Sequence, residues 1–178
     1  MRQPVSVRWG GVAVGAVLGF MTAGWLAGCA GYQLGSTLPP GVKTVAVPMF
    51  ANATDHPELE TETTKAAIAE VQKDGTLRVV PGDVADAVLE VRLTHYTLIP
   101  TRYQTNARTT AREYRLELTA DLIFRRQASK QPMMECRGVI GYATFVADVD
   151  LPSAERIALP AAAKDLAHNL VKRIVEYW

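Results

Sequence analysis

Residues 114–122 read Tyr-Arg-Leu-Glu-Leu-Thr-Ala-Asp-Leu, so that apolar and polar side chains alternate without a break. A period of two residues is typical of a β-strand with one face in the core and the other in water. Residues 89–94 and 139–145 follow the same pattern on either side of it. The sequence therefore predicts three long, half-buried strands, which polar turns at residues 101–111 and 127–132 join into antiparallel hairpins.

A strand, a helix and a second strand are predicted before these hairpins. Residues 42–50 are almost continuously apolar and β-prone, which predicts a strand covered on both faces or nearly so. A turn at residues 52–57 leads into a helix whose apolar stripe runs from Thr64 to Val71, and Asp74-Gly75 ends it. Residues 77–80 predict a short strand. If the two strands are parallel, the crossover between them is right-handed.

A long helix is predicted at the end of the sequence, over residues 152–178. Ser153 is placed to cap it, and Pro160 either kinks it or begins its main part. Its apolar stripe consists of Leu166, Leu170, Ile174 and Tyr177.

The order of these elements predicts the fold class. Two helices must both bury an apolar stripe, and one face of the predicted sheet is free to receive them. We therefore predict an α+β fold, an α/β two-layer sandwich with a mixed, mostly antiparallel sheet and two helices packed on one face. Residues 42–178 form this single domain.

The N-terminal residues resemble a bacterial lipoprotein signal. Arg2 and Arg8 precede an uncharged, apolar run over residues 10–26, and Leu26-Ala27-Gly28-Cys29 resembles the sequence at which lipoproteins are cleaved and lipidated. Residues 1–28 are then the signal peptide and residues 29–41 a Gly- and Pro-rich tether with lipid attached at Cys29. The alternative is an uncleaved membrane helix, for which the run is slightly shorter than the roughly 20 residues required.

The residue after the cysteine indicates the destination. Ala30 stands where an aspartate would be the usual retention signal of the inner membrane in Gram-negative lipoproteins. By that resemblance the protein is expected at the periplasmic face of the outer membrane, held by its lipid anchor.

Charge is balanced overall but unevenly distributed. Residues 51–90 hold nine acidic and three basic side chains, and residues 100–137 hold eight basic and four acidic ones. No basic stripe runs through the chain as a whole, so we do not expect it to bind nucleic acid. The uneven distribution either steers a charged partner or only marks solvated faces.

No pattern of catalytic or metal-binding residues is present. His56, His95 and His168 are predicted in a turn, on the core side of a strand and on the charged side of a helix, without the spacing of metal ligands. Phosphate loops and nucleophile elbows are absent, and Cys136 is predicted to be a small, partly buried hydrophobe. We therefore predict that the protein is not an enzyme and needs neither a metal nor a cofactor beyond the lipid on Cys29.

The candidate binding surface is the turn of the first predicted hairpin. Arg102, Arg108 and Arg112 lie around it, and the guanidinium fork of arginine donates paired hydrogen bonds to phosphate. Tyr96 and Tyr103 are expected to place their rings beside these charges. The alternative is that the arginines only keep an edge strand soluble.

Several short motifs, taken in order, resemble the LptE family of lipoproteins. Residues 29–34, Cys-Ala-Gly-Tyr-Gln-Leu, are similar to the C-G-Y-x-L start of that family, and residues 44–52 are similar to its V-P-x-F-x-N strand and turn. The strand beginning at residues 85–89 and the long final helix also match. The similarity covers nearly all of the chain after the signal.

The resemblance implies a function without catalysis. LptE proteins partner and plug the β-barrel translocon LptD, support its assembly and the insertion of lipopolysaccharide into the outer membrane, and bind lipopolysaccharide. Polar strand faces on a compact sandwich suit the polar lumen of a barrel. Lipopolysaccharide contacts in the family are not matched residue by residue here, so Arg102, Arg108 and Arg112 rest on their chemistry alone.

A second group of envelope lipoproteins shares the opening strand. Residues 45–50 also resemble lipoproteins of the curli-secretion and penicillin-binding-protein-activator types, which act as scaffolds or regulators. Three uninterrupted long strands and the C-G-Y-x-L start favour LptE.

Overall fold

The computed structural model describes residues 38–104, 107–147 and 150–178. The predicted signal peptide, Cys29 and most of the tether therefore lie outside the described residues. The elements in chain order are β1 (Thr44–Ala46), β2 (Ala51–Asn52), α1 (Leu59–Asp74), β3 (Arg78–Val79), β4 (Ala87–Gln104), β5 (Ala107–Arg126), β6 (Pro132–Val146) and α2 (Leu151–Glu176).

The strands form one mixed sheet in the order β3-β1-β4-β5-β6, with β2 also paired to β4. Strand β1 is parallel to both β3 and β4, whereas β4, β5 and β6 form two long antiparallel pairs. Both helices cover one face, where their buried side chains join the inward side chains of the strands in a single core. The predicted α+β sandwich is confirmed.

The predicted strand over residues 42–50 is interrupted in the structure. Pairing in β1 stops at Ala46 and resumes in β2 at Ala51. Pro48 lies between them and has no N–H to donate to a ladder, so a continuous strand cannot pass through it in the sheet. The chain is nevertheless held there, because Phe50 is buried and its N–H donates to Thr64 Oγ1 of α1 at 2.9 Å.

Helix α1 ends where the sequence predicts. Gly75 takes a φ of 75°, and its N–H donates to the carbonyl of Val71, which is the left-handed cap that glycine accepts without strain.

The predicted turn at residues 101–111 is mostly strand. Strand β4 continues to Gln104 and β5 begins at Ala107, so the hairpin is longer and its turn shorter than the polar sequence indicated. The second turn is as predicted, since β5 ends at Arg126 and β6 begins at Pro132.

A bulge in β4 reverses the inward and outward sides of the strand. Leu93 pairs with Ala120 and His95 with Thr119, so Thr94 is an extra residue in β4. His95, predicted on the core side, is therefore exposed, while Tyr96 turns inward and packs against the core.

Helix α2 begins one residue earlier than predicted and is capped by a different residue. Asp150 is the N-cap, and its carboxylate accepts from the N–H of Ser153 at 2.8 Å. Pro160 lies within the continuous helix. The buried stripe includes Leu166, Leu170 and Ile174 but not Tyr177, which is 60% exposed because the helix ends before it.

Candidate functional site: the arginine hairpin and the open sheet face

The hairpin of β4 and β5 extends beyond the rest of the sheet. Strand β6 ends at Val146, opposite Glu113 of β5, and one further backbone bond joins the N–H of Ala147 to the carbonyl of Arg112 at 3.0 Å. Before that point in β5, Ala107 and Ala111 pair with Gln104 and Tyr103 of β4, and no described residue there pairs with β6. We call this two-stranded extension, residues 101–104 and 107–112, the arginine hairpin.

The structure separates two of the predicted arginines. Arg102 Nη1 lies 3.4 Å from Glu113 Oε2, in an exposed pair that salt screens readily, and the Arg102 side chain is 76% exposed. Arg112 is also exposed but precedes Glu113 on β5, so strand alternation places it on the opposite face of the hairpin. The side chain of Arg108 lies outside the described residues. The hairpin thus carries arginine on both of its faces.

The two predicted aromatic neighbours are not confirmed beside these charges. Because of the bulge, Tyr96 faces the helices instead of the hairpin. Its ring stacks on His56 with centroids 4.2 Å apart, and its hydroxyl donates to Glu155 of α2. Burial, and then the contact with the Glu155 carboxylate, raise the pKa of the Tyr96 hydroxyl. The side chain of Tyr103 lies outside the described part of the chain.

The face of β4, β5 and β6 that turns away from the helices is uncovered among the described residues, and we call it the open face. It carries large apolar side chains between polar ones, and Tyr142 on β6 is 50% exposed. The Arg115 guanidinium lies 4.9 Å from the centroid of the Tyr142 ring, in cation–π geometry. The other large exposed apolar side chains of this face are Ile99, Ile140 and Val146.

Sequence reasoning did not single out this surface. Arg115 and Tyr142 both fall on the polar side of their alternating runs, which indicates that both side chains face away from the core. Their meeting depends on register, however, because Arg115 pairs with Thr144 and reaches Tyr142 diagonally across the strands.

The free edge of β6 is capped by helix α2. The N–H of Tyr142 donates to Asp165 Oδ2 at 2.9 Å, and Asn169 Nδ2 donates to the carbonyl of Ile140 at 2.8 Å. These are backbone groups that an added strand would use.

His168 contacts α1, although it was predicted to be simply solvated. Its Nδ1 lies 3.0 Å from Glu70 Oε1, while its own side chain remains 57% exposed. The hydrogen bond from His168, joined by the bond and charge of Lys73, lowers the pKa of the buried Glu70 carboxyl despite its desolvation.

Two further features concern the described residues as a whole. None of their helices is both long and apolar enough to cross a membrane. Their His, Cys, Asp and Glu side chains form no group of three or more that could hold a metal ion.

Two solved structures share the fold of this chain. The protein XCC0632 from Xanthomonas campestris aligns with a TM-score of 0.56 and 8% identity, over 79% of this chain and 88% of that one. The hypothetical protein CT253 from Chlamydia trachomatis aligns with a TM-score of 0.51 and 8% identity, over 76% of this chain and 97% of that one. The PelC dodecamer from Paraburkholderia phytofirmans aligns with a TM-score of 0.49 and 13% identity, over 79% of this chain and 95% of that one.

Comparison by sequence identifies a family. No curated protein matches the chain. The family model described as LptE, lipopolysaccharide assembly, matches residues 42–174, which include every strand and nearly all of α2. The protein therefore belongs to the LptE family of lipopolysaccharide assembly.

Proposed function

We propose that this protein is an outer-membrane lipoprotein, lipidated on Cys29, that partners and plugs an LptD-type β-barrel. In that role it supports assembly of the barrel and insertion of lipopolysaccharide, which it binds through Arg102, Arg108 and Arg112. The observation that carries the proposal is the family match over residues 42–174. Its action is mechanical and electrostatic, without a catalytic step.

The arginine hairpin supports the binding part of this proposal. Strand β4 continues two residues beyond Arg102, the partner of Glu113 where β6 ends, which corresponds to a projection of roughly 7 Å before the turn. Arginine on both faces of a narrow hairpin can approach phosphates from either side, and charge-assisted hydrogen bonds are the strong ones. The weak, exposed pair of Arg102 with Glu113 leaves the guanidinium available for exchange with a phosphate.

The open face supports the partner part. A barrel lumen is lined by polar side chains, and a wall of this kind matches a surface on which Thr97, Glu117 and Thr144 alternate with isolated apolar groups. The long hairpins also provide a stable body, because the helices pack on their other face.

Lipopolysaccharide binding is tested with a triple variant of the purified protein, Arg102→Gln, Arg108→Gln and Arg112→Gln. We expect the affinity to fall about tenfold or more, since hydrogen bonds to charged groups contribute roughly 1.5–3 kcal/mol each and 1.4 kcal/mol is tenfold. The matched control replaces three exposed arginines elsewhere, Arg78, Arg137 and Arg173, by glutamine. Equal affinities of the two triple variants for lipopolysaccharide would show that the arginine hairpin is not the binding site.

The partner is tested by purification from detergent-solubilised outer membrane. A barrel recovered in a one-to-one ratio with this protein is the expected result. Recovery of a self-assembled ring, or of a cell-wall synthase, would instead identify a scaffold or regulator of the curli-secretion or penicillin-binding-protein-activator type. The mass of the recovered chain checks whether it begins at a lipidated Cys29.

A further inference from the structure

A groove lies at the opposite end of the sheet from the arginine hairpin. It has a volume of about 480 Å³ and lies between the residues that follow β1, the residues that follow β3, and the start of β4 and end of β5. Volumes of this order are typical of small-molecule sites. Its walls are largely apolar and include Val47, Val79, Pro81 and Val88.

Cationic groups line one side of this groove. Arg125 and Lys130 both contribute to its lining, against a single carboxylate, Glu90. That carboxylate is already engaged, because Arg125 Nη2 donates to Glu90 Oε2 at 2.6 Å. The remaining charge of the groove is therefore positive.

Arg125 retains one donor without an acceptor. Its Nε is buried and has no hydrogen-bond partner among the described residues. A buried donor without an acceptor costs free energy. The Arg125 side chain as a whole remains 29% exposed, and it is this exposed part of the guanidinium that a phosphate in the groove can reach.

The position of the groove brings it close to the start of the domain. Arg126, next to Arg125, donates from Nη2 to the carbonyl of Pro40 at 3.4 Å. Gln127, which also lines the groove, holds the loop after β3 by donating from Nε2 to the carbonyl of Gly82 at 2.7 Å. If Cys29 carries lipid, as proposed above, only 11 residues separate that lipid from Pro40, and they span at most roughly 40 Å.

We propose that this groove binds a glycerophospholipid of the membrane surface, with its phosphate at Arg125 and Lys130 and an acyl chain along the apolar wall. The site is separate from the arginine hairpin and does not need a barrel partner. Only its closeness to the membrane rests on the proposed function. Its chemistry rests on the groove itself.

The test measures lipid retained by the purified mature protein in native mass spectrometry. We expect phosphatidylglycerol to be retained, and diacylglycerol, which lacks the phosphate, to be retained about tenfold less. The double variant Arg125→Gln, Lys130→Gln should lose phosphatidylglycerol to the same extent. The matched control, Arg137→Gln with Arg173→Gln, removes two exposed arginines that lie outside the groove and the arginine hairpin, and should retain it.

A further variant and competing ligands show which explanation of lipid retention is correct. Lys130→Gln alone changes an exposed side chain in a turn, and should weaken retention even if loss of the Arg125–Glu90 pair disturbs the fold. Equal retention of phosphatidylglycerol and diacylglycerol would overturn the proposal, as would inorganic phosphate displacing all of the bound lipid. Lipopolysaccharide retained in preference to phosphatidylglycerol through the same two residues would show that the occupant was assigned wrongly. Failure here leaves barrel co-purification unaffected, so the two proposals fail separately.

Discussion

Gly141 of β6 packs directly against the backbone of helix α2. A Cβ atom added to it would lie 2.2 Å from the backbone N of Leu166 and 2.3 Å from its Cα. Both atoms belong to helix backbone, which cannot move aside as a flexible side chain does. The absence of a side chain at residue 141 therefore sets the distance between the two layers.

We expect Gly141→Ala to lower the free energy of unfolding by about 1–3 kcal/mol, because β6 and α2 must separate. The control is Gly82→Ala, where the nearest atom is the Ala46 Cβ at an ordinary 3.9 Å. That change should be neutral or slightly stabilising. Urea unfolding measures both, and equal stability of the two variants would contradict the close approach.

Asp86 ties the start of β4 to the start of β1. Its Oδ2 accepts from the N–H groups of Lys43 and Thr44 and from the Thr44 hydroxyl, at 2.8–3.0 Å. These bonds, first that from the Lys43 N–H, hold the pKa of the Asp86 carboxyl below its ordinary value. A lowered pKa in the folded state stabilises the protein fully above the unfolded pKa of about 3.9, and this contribution is lost as the pH falls below that value and through the lower pKa of the folded state.

Asp86→Asn should accordingly reduce the stability of the fold at pH 7, and the variant should lose less stability than the wild type when the pH falls below about 4. Asp83→Asn, in the same loop, serves as the control and should keep the wild-type pH dependence. Thermal melts at pH 7, 4 and 3 provide the comparison. A parallel loss in all three proteins would show that these hydrogen bonds are not the cause.

At the scale of elements, the bulge at Thr94 determines which side chains of β4 beyond it face the helices. Without the extra residue, His95 would face the core and Tyr96 the open face. With it, Tyr96 reaches both His56, before α1, and Glu155, in the first turns of α2. One inserted residue thus lets a single side chain of β4 contact both the turn before α1 and the first turns of α2.

Tyr96→Phe should therefore lower the free energy of unfolding by about 1 kcal/mol, the typical net contribution of a hydrogen bond. The phenyl ring preserves the stacking on His56. Tyr142→Phe removes the same hydroxyl from a half-exposed ring and should change stability by less than about 0.5 kcal/mol. If denaturant midpoints of the two variants coincide, the Glu155 contact does not stabilise the fold.

The elements that could be predicted from sequence are those with a long, clear period. Residues 114–122 and 139–145 keep one phase throughout, and Gly75 ends α1 by a local rule. The bulge could not be predicted, because Leu93 and Leu98 are both apolar and lie in opposite phases, so either side of residues 94–97 could have faced inward. Arg102 and Arg112 were recognised as exposed arginines, but their opposite faces depend on strand register, which periodicity does not provide.

At the scale of the whole molecule, the two faces of the sheet have different surroundings. One face of the sheet is fully used by the helices, and its side chains form the core. The open face retains exposed apolar groups that contribute little to the stability of the isolated chain. We infer that these groups are available for contact with the proposed barrel.

Ile140→Asp should reduce recovery of the barrel partner several-fold while leaving the melting temperature of the isolated protein within a few degrees, since Ile140 is 45% exposed. Ile157→Asp, on an 80% exposed position of α2, is the matched control. Quantitative co-purification distinguishes them. Full barrel recovery with Ile140→Asp would mean that the open face does not touch the partner.

The capped edge of β6 affects how such a complex can be assembled. A strand with free N–H and C=O groups tends to become part of any neighbouring sheet, and two chains joined in that way must largely fold together. Asp165 and Asn169 occupy those groups at Tyr142 and Ile140. A wall of foreign strands can then surround this domain without incorporating it at this edge, so that the finished domain can enter, or leave, a barrel as an independent piece.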